Sequence, residues 1–264
     1  MSRSLRTRVL RWPSADAARI GDADVKVYTA SLLADEDRLE RAFGLLSRAE
    51  RDRFSAYTND VVARRFGIGR SILREILGAL QSTLPGLVKL VEGQFGKPSL
   101  ARSDAQPPLW FSVAHCDDLL LVAVSREGEV GVDVERTRAI DCWERVADRT
   151  LAPAERAQLL RAVERGEDAD RVFLRHWCRV EAELKALGCG IHGIEEHRAG
   201  ARPPGMRIAD LRTLPLPDDL SAGGVRYQAA VALCVAPGDK ERRSRRAASQ
   251  QSTPSTAPTR ASTP

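Results

Sequence analysis

The segment Glu129–Glu135, EVGVDVE, alternates so strictly that it leaves little choice of backbone or placement. Successive side chains of an extended strand point to opposite faces, so Val130, Val132 and Val134 form one row while Asp133 and Glu135 share the other. The valine row needs a core, and the acidic row reads as the solvated side of a sheet or as a set of ligands. Further along, Trp177–Gly188, WCRVEAELKALG, has helical spacing. Glu181 and Lys185 stand four apart on one helix face, with Trp177 a turn earlier on the same stripe. Together the two segments supply three carboxylates, Asp133, Glu135 and Glu181, and one ammonium, Lys185, where a hard cation and phosphates could meet. Each also has an ordinary reading. A strand with acids outside is usually half solvated, and a Glu to Lys pair at this spacing is a surface contact worth roughly 0.2–0.5 kcal/mol.

The rest of the chain mixes both periods. Strands are expected at 25–29, 87–91, 109–113, 119–125, 129–135, 206–211 and 226–235, and helices at 32–46, 47–58, 60–80, 142–148, 153–165 and 171–187. Asp60 is the expected cap of the third helix, and Gly188 the stop signal of the last. This order lacks a repeating βαβ unit, and the expected class is α+β. Gly188–Gly193, GCGIHG, satisfies GxGxxG but follows a helix, whereas a dinucleotide fingerprint follows a strand.

Composition narrows the function classes. No run of eighteen apolar residues occurs and the basic N-terminus lacks an apolar stretch behind it, so neither secretion nor a membrane span is expected, and the protein is expected to be cytoplasmic. Five cysteines without a CxxC pair argue against a disulfide framework or a zinc site and fit mostly buried, reduced thiols. His115 and Cys116 are adjacent on a strand, so they point apart and do not form a nucleophile pair. The net charge of +5 suggests nucleic acid, but residues 238–264 hold six basic against two acidic side chains, leaving 35 against 34 in the body. That Ser, Thr, Pro and Arg-rich tail has no hydrophobic period and is expected to be disordered. No specific nucleic-acid partner is expected.

Two further segments, FGKP (Phe95–Pro98) and WFSVAHC (Trp110–Cys116), complete an ordered set. With Asp133, Val134, Glu135 and then Trp177, Glu181, Ala182 and Lys185, this set resembles the Sfp-type 4'-phosphopantetheinyl transferase family over residues 46–190. The resemblance implies two similar α+β subdomains, 1–117 and 118–237, related by pseudo-twofold symmetry with coenzyme A in the cleft between them, followed by the tail 238–264. It implies a monomer with pseudodimeric halves that moves the phosphopantetheine arm of coenzyme A onto a serine of an acyl or peptidyl carrier protein and releases 3',5'-ADP. By the same resemblance Asp133, Glu135 and Glu181 hold Mg2+, Glu181 serves as general base, and Lys185 and His115 contact phosphate. Arg65 and Lys97 match positions that bind the coenzyme, and Arg51 and Arg53 fall in the same basic region. Arg70 and Arg74 are expected on a solvated helix face, and Trp177 as a core anchor. His176, His192 and His197 lack metal-ligand spacing and receive no role.

The sequence departs from the family pattern at Val180, where a lysine is expected before the helix glutamate; Arg179 is adjacent but about 100° round the helix. Ala114 and Cys116 replace the serines that usually flank the histidine. Two rivals remain. Asp133 with Glu183 and Lys185 fits the short pattern of a metal-dependent nuclease, although helical spacing would make Glu183 and Lys185 diverge. The other is a non-catalytic module that binds a carrier protein or nucleic acid.

Overall fold

The computed structural model describes residues 5–12, 24–93, 95–101, 107–221 and 224–235. The tail 238–264 lies outside the described residues. The fold is mixed α and β with several sheets, as expected. A four-stranded sheet has the order β1-β2-β6-β5, built from β1 (Thr7–Arg11), β2 (Val25–Ser31), β5 (Trp110–Cys116) and β6 (Leu119–Ser125). A short hairpin joins β3 (Leu90–Glu92) to β4 (Pro98–Leu100), and an antiparallel sheet β7-β9-β8 contains β7 (Glu129–Arg136), β8 (Met206–Asp210) and β9 (Tyr227–Cys234). Because β6 pairs with β2 and β5, the first sheet draws strands from both sides of residue 117.

The helices are α1 (Glu36–Leu45), α2 (Arg48–Ala56), α3 (Asp60–Gln81), α4 (Trp143–Thr150), α5 (Pro153–Glu164), α6 (Ala169–Leu187) and the short α7 (Ile194–Arg198) and α8 (Asp218–Ser221). Their ends follow local chemistry. Asp35 caps α1, Ser47 and Glu50 form a reciprocal capping box on α2, and Asp168 caps α6. Asn59, rather than Asp60, caps α3, its side chain accepting from the Val62 amide at 3.1 Å. Gly188 ends α6 at φ 69°, a left-handed conformation that glycine adopts without strain. The expected strand at 87–91 begins later because Pro85 and Gly86 open a 3-10 turn.

Three layers of packing position the site. Alternate residues of β2 and β6, including Tyr28, Leu120 and Val122, pack beneath Ile68, Ile72 and Ile76 of α3. The opposite faces, with Val27 and Leu121, share a core with Val130, Val132 and Val134 of β7 and Val231 of β9. The valine row is therefore buried as expected, but the acidic row is not simply solvated: α6 covers it. Small residues allow that approach, with Cys178, Ala182 and Ala186 of α6 meeting Ala230 and Ala232 of β9. At Gly131 the helix comes so near that an added Cβ would lie 1.9 Å from the Ala182 carbonyl oxygen and 2.4 Å from the Ala186 amide nitrogen. Gly131→Ala is expected to push α6 off the sheet and to cost about 1–3 kcal/mol or more. Urea unfolding checks this, and an unchanged midpoint would show that the helix does not rest on the strand.

Two expectations about side chains are corrected. Arg74 is buried at 2% exposure, its guanidinium bonded to the Glu50 carboxylate and to the Pro85 and Val88 carbonyls. Arg70, also largely covered, sits 3.4 Å from the same carboxylate. The acid of the α2 capping box thus faces inward and draws both arginines with it, because a buried carboxylate needs cationic partners. Of the five cysteines, all free, only Cys178 is fully buried and Cys142 is exposed.

Candidate active site

α6 lies across β7 so that Asp133 and Lys185 meet. The Lys185 Nζ is 2.6 Å from Asp133 Oδ1, and Asp133 is 7% exposed. Its other oxygen, Oδ2, is buried without a hydrogen-bond partner. Such an orphaned acceptor is costly unless something else binds there. Glu181, one turn before Lys185, is half-buried and among the described residues makes no hydrogen bond or ion pair. Burial raises its pKa above the usual glutamate range, Lys185 opposes that rise, and the nearby charges of Asp133 and Glu135 add to it. Glu135 reaches Arg138 at 2.8 Å. Beneath the acids, the Cys178 thiol is held well above its usual pKa by burial and by Asp133.

His115 stands exposed near the end of β5. Desolvation by surrounding atoms, then the cations Arg65 and Lys185, lower its pKa, with Asp118 opposing. The structure thus brings His115 into the electrostatic reach of both Arg65 and Lys185. Arg65 donates to Asp118 at 2.8 Å. A cleft of about 260 Å3 runs along α3 and β5, bordered by Arg53, Arg65, Arg70 and His115. Arg53 also pairs with Glu92 at 3.0 Å and lies over the Phe66 ring. Arg51 and Lys97 do not border this cleft. Arg51 stacks over Phe43. Lys97 Nζ is 2.7 Å from Glu129 and within 3.4 Å of the Val130 and Ala186 carbonyls, a cation at the C-terminal end of α6. A larger cleft of about 670 Å3, where Trp177 meets Arg145 and Ile194, contains none of the three carboxylates, so size alone does not mark the site. Trp177 there packs against the core and also lines the cleft.

The departures acquire physical reasons. Val180 is fully buried among Leu159, Leu174 and Leu184, so residue 180 points into the core. Arg179 turns to Asp210 at 3.7 Å and does not stand in for a lysine at the site. The nuclease pattern is not assembled: Glu183 is fully buried on another face of α6, bonded to Arg202 at 2.7 Å, away from Asp133. Among the described residues no helix is long and apolar enough to cross a membrane, and no group of three or more His, Cys, Asp or Glu forms a ready-made metal shell.

Acids and a lysine gathered between a strand and a helix, with arginines and a histidine beside them, define a centre suited to phosphate chemistry. Comparison with known proteins gives that chemistry a name. The sequence model of the 4'-phosphopantetheinyl transferase superfamily matches residues 129–211, which include β7 and α6. The 4'-phosphopantetheinyl transferase HetI of Nostoc is 34% identical over 203 residues, 74% of this chain and 84% of that protein. AcpT of Salmonella typhimurium, also a 4'-phosphopantetheinyl transferase, is 37% identical over 109 residues, 41% of this chain and 54% of its own. A phosphopantetheinyl transferase of Thraustochytrium is 26% identical over 155 residues, 55% of this chain and 54% of its own. The chain belongs to the 4'-phosphopantetheinyl transferase superfamily. It is a 4'-phosphopantetheinyl transferase, with coenzyme A as the family's substrate.

Proposed function

We propose that the enzyme transfers the phosphopantetheine arm of coenzyme A to a serine of an acyl or peptidyl carrier protein, depends on Mg2+ and releases 3',5'-ADP. The observation that carries this reading is the Asp133 and Lys185 contact beside Glu181, in a chain of this superfamily. The serine oxygen forms a bond to phosphorus as the bond from that phosphorus to the ADP oxygen breaks, and the serine proton passes to a base. Glu181 is that base, directly or through a water. Its raised pKa makes its carboxylate a better proton acceptor than an ordinary glutamate. Lys185 binds a phosphate oxygen as a compact charge on a flexible stem. His115, neutral at pH 7 because its pKa is lowered, offers one ring N–H to another phosphate oxygen.

Arg65 and Arg53, at the cleft beside His115, suit the 3'-phosphate end of coenzyme A. Arg51 and Lys97 stay in the proposal on resemblance, and Lys97 would exchange Glu129 for a phosphate oxygen. Asp133, Glu135 and Glu181 would hold Mg2+. These hard oxygen donors and the unsatisfied Asp133 Oδ2 fit such an ion, which when bound offsets charge building on the departing ADP. The same reading has a cytoplasmic monomer with coenzyme A between subdomains 1–117 and 118–237 related by a pseudo-twofold axis. The backing of each main sheet by one long helix, α3 or α6, supports two similar halves, with β6 carrying the first sheet past residue 117.

Incubation with coenzyme A, Mg2+ and a purified carrier protein is expected to add one phosphopantetheine to the carrier, read by mass spectrometry, with no cleavage of DNA in parallel. Asp133→Ala is expected to abolish the response to added Mg2+. Unchanged carrier mass across fatty-acid, polyketide and nonribosomal peptide carriers would refute the proposal.

A further inference from the structure

A second basic cleft opens beside α6, away from the Glu181 face. It has a volume of about 360 Å3 and lies between α5, α6 and the chain that follows β8. Five guanidiniums border it: Arg161 and Arg165 at the end of α5, Arg175 and Arg179 from α6, and Arg212. Two carboxylates, Glu167 and Asp210, face these five cations, leaving three positive charges in excess. Nor do the acids satisfy the arginines they meet. Glu167 is shared between Arg165 at 3.2 Å, Arg175 at 3.5 Å and Arg171 at 3.9 Å, and Asp210 meets Arg179 at 3.7 Å. Arg161 and Arg212 are exposed, and among the described residues their side chains enter no ion pair or hydrogen bond.

His176 lies on the wall of the cleft. It is 6% exposed, and among the described residues it too makes no hydrogen bond. Burial, then Arg179 and Arg175, lower its pKa, with Glu155 and Asp210 opposing, so the ring is neutral and keeps an N–H to donate. Guanidiniums held together with too few counter-charges repel one another, and a bound polyanion relieves that repulsion through charge-assisted hydrogen bonds. The lining includes a single aliphatic residue, Ala162. Protein partners are anchored by buried aromatic or aliphatic side chains, and none is offered here, so the lining favours a small anion. The volume falls within the roughly 300–1,000 Å3 of small-molecule clefts. Arg179 and Glu181 are two residues apart and so about 200° apart round the helix, which separates this cleft from the transfer centre.

We propose that the cleft between α5 and α6 is a second anion site, distinct from the transfer centre, which takes a small molecule bearing two or more phosphate groups. Inorganic triphosphate is the probe, titrated calorimetrically into the full chain with EDTA present at about 150 mM salt, where diffuse surface attraction is largely screened. Arg161→Ser/Arg212→Ser is expected to weaken binding by about tenfold or more. Its melting temperature should not fall, since neither side chain holds another residue and the loss of two like charges eases repulsion in the cleft. Arg65→Ala/Lys185→Ala is expected to retain the binding. The inference is overturned if the wild-type chain does not bind triphosphate, if Arg161→Ser/Arg212→Ser binds it as tightly as wild type, or if Arg65→Ala/Lys185→Ala loses as much affinity as the first pair.

Discussion

With Glu181 replaced by glutamine, the protein is expected to unfold at or above the wild-type denaturant midpoint while carrier modification slows by roughly a hundredfold to ten-thousandfold. The two halves of that result have separate causes. Glu181 has no hydrogen bond or ion pair to lose among the described residues, and glutamine keeps its shape. Removing its charge also eases repulsion from Asp133 and Glu135. What glutamine lacks is the capacity to take the serine proton and to act as a hard anionic ligand. Single-turnover mass gain on the carrier measures the loss, and wild-type turnover would strip Glu181 of its proposed role. In the chain without Mg2+, NMR titration of the Glu181 carboxyl should place its pKa above the ordinary glutamate range, because burial disfavours its charged form.

Much of this arrangement could be read from local pattern. β6 begins and ends where the sequence places it, β7 extends one residue further, and Gly188 stops α6 as expected. Each is fixed by neighbours within a few residues. The covering of the acidic row was harder to see, since it depends on small residues in two distant segments. Gly131 beside the acids, with Cys178, Ala182 and Ala186 four apart on α6, was the signal for close helix packing. β4 was missed because its first residue is Pro98, a position that proline tolerates only at strand starts and edges. The inward turn of Glu50 toward Arg74 had no periodic trace. Likewise His197, without metal-ligand spacing, gave no hint of its partners, because Glu155 and Glu183 come from separate helices, α5 and α6.

Those partners produce the second large effect, a loss of stability between about pH 6.5 and pH 9. His197 is 4% exposed, its Nε2 lies 2.8 Å from Glu155 and its Nδ1 lies 3.3 Å from Glu183. The second contact is the looser of the two, but Glu183 still raises the pKa of the ring alongside Glu155. Burial alone would lower the pKa of His197, but the two carboxylates override it and raise the value from 6.5 to about 9. The same contacts, with Arg202, lower Glu155 from 4.5 to about 2 against its own desolvation. A group whose folded pKa is raised contributes fully below its unfolded value and loses that contribution as pH rises through the folded one. The His197 contribution, on the order of 3 kcal/mol, is therefore complete below about pH 6.5 and gone above about pH 9. Glu155 has the opposite sign, contributing above about pH 4.5 and losing its part as pH falls through about 2. The network is thus strongest between those limits, from about pH 4.5 to pH 6.5. Urea midpoints at pH 6 and pH 9 should fall accordingly in the wild-type chain. His197→Gln should abolish the fall while lowering stability at pH 6, since it leaves Glu155 and Glu183 to share Arg202 as their cation. Should that variant fail to fold, NMR titration of the wild-type His197 ring decides the matter. A pKa near 9 confirms that the ring is charged between its acids, whereas a value near 6.5 would mean that burial cancels them.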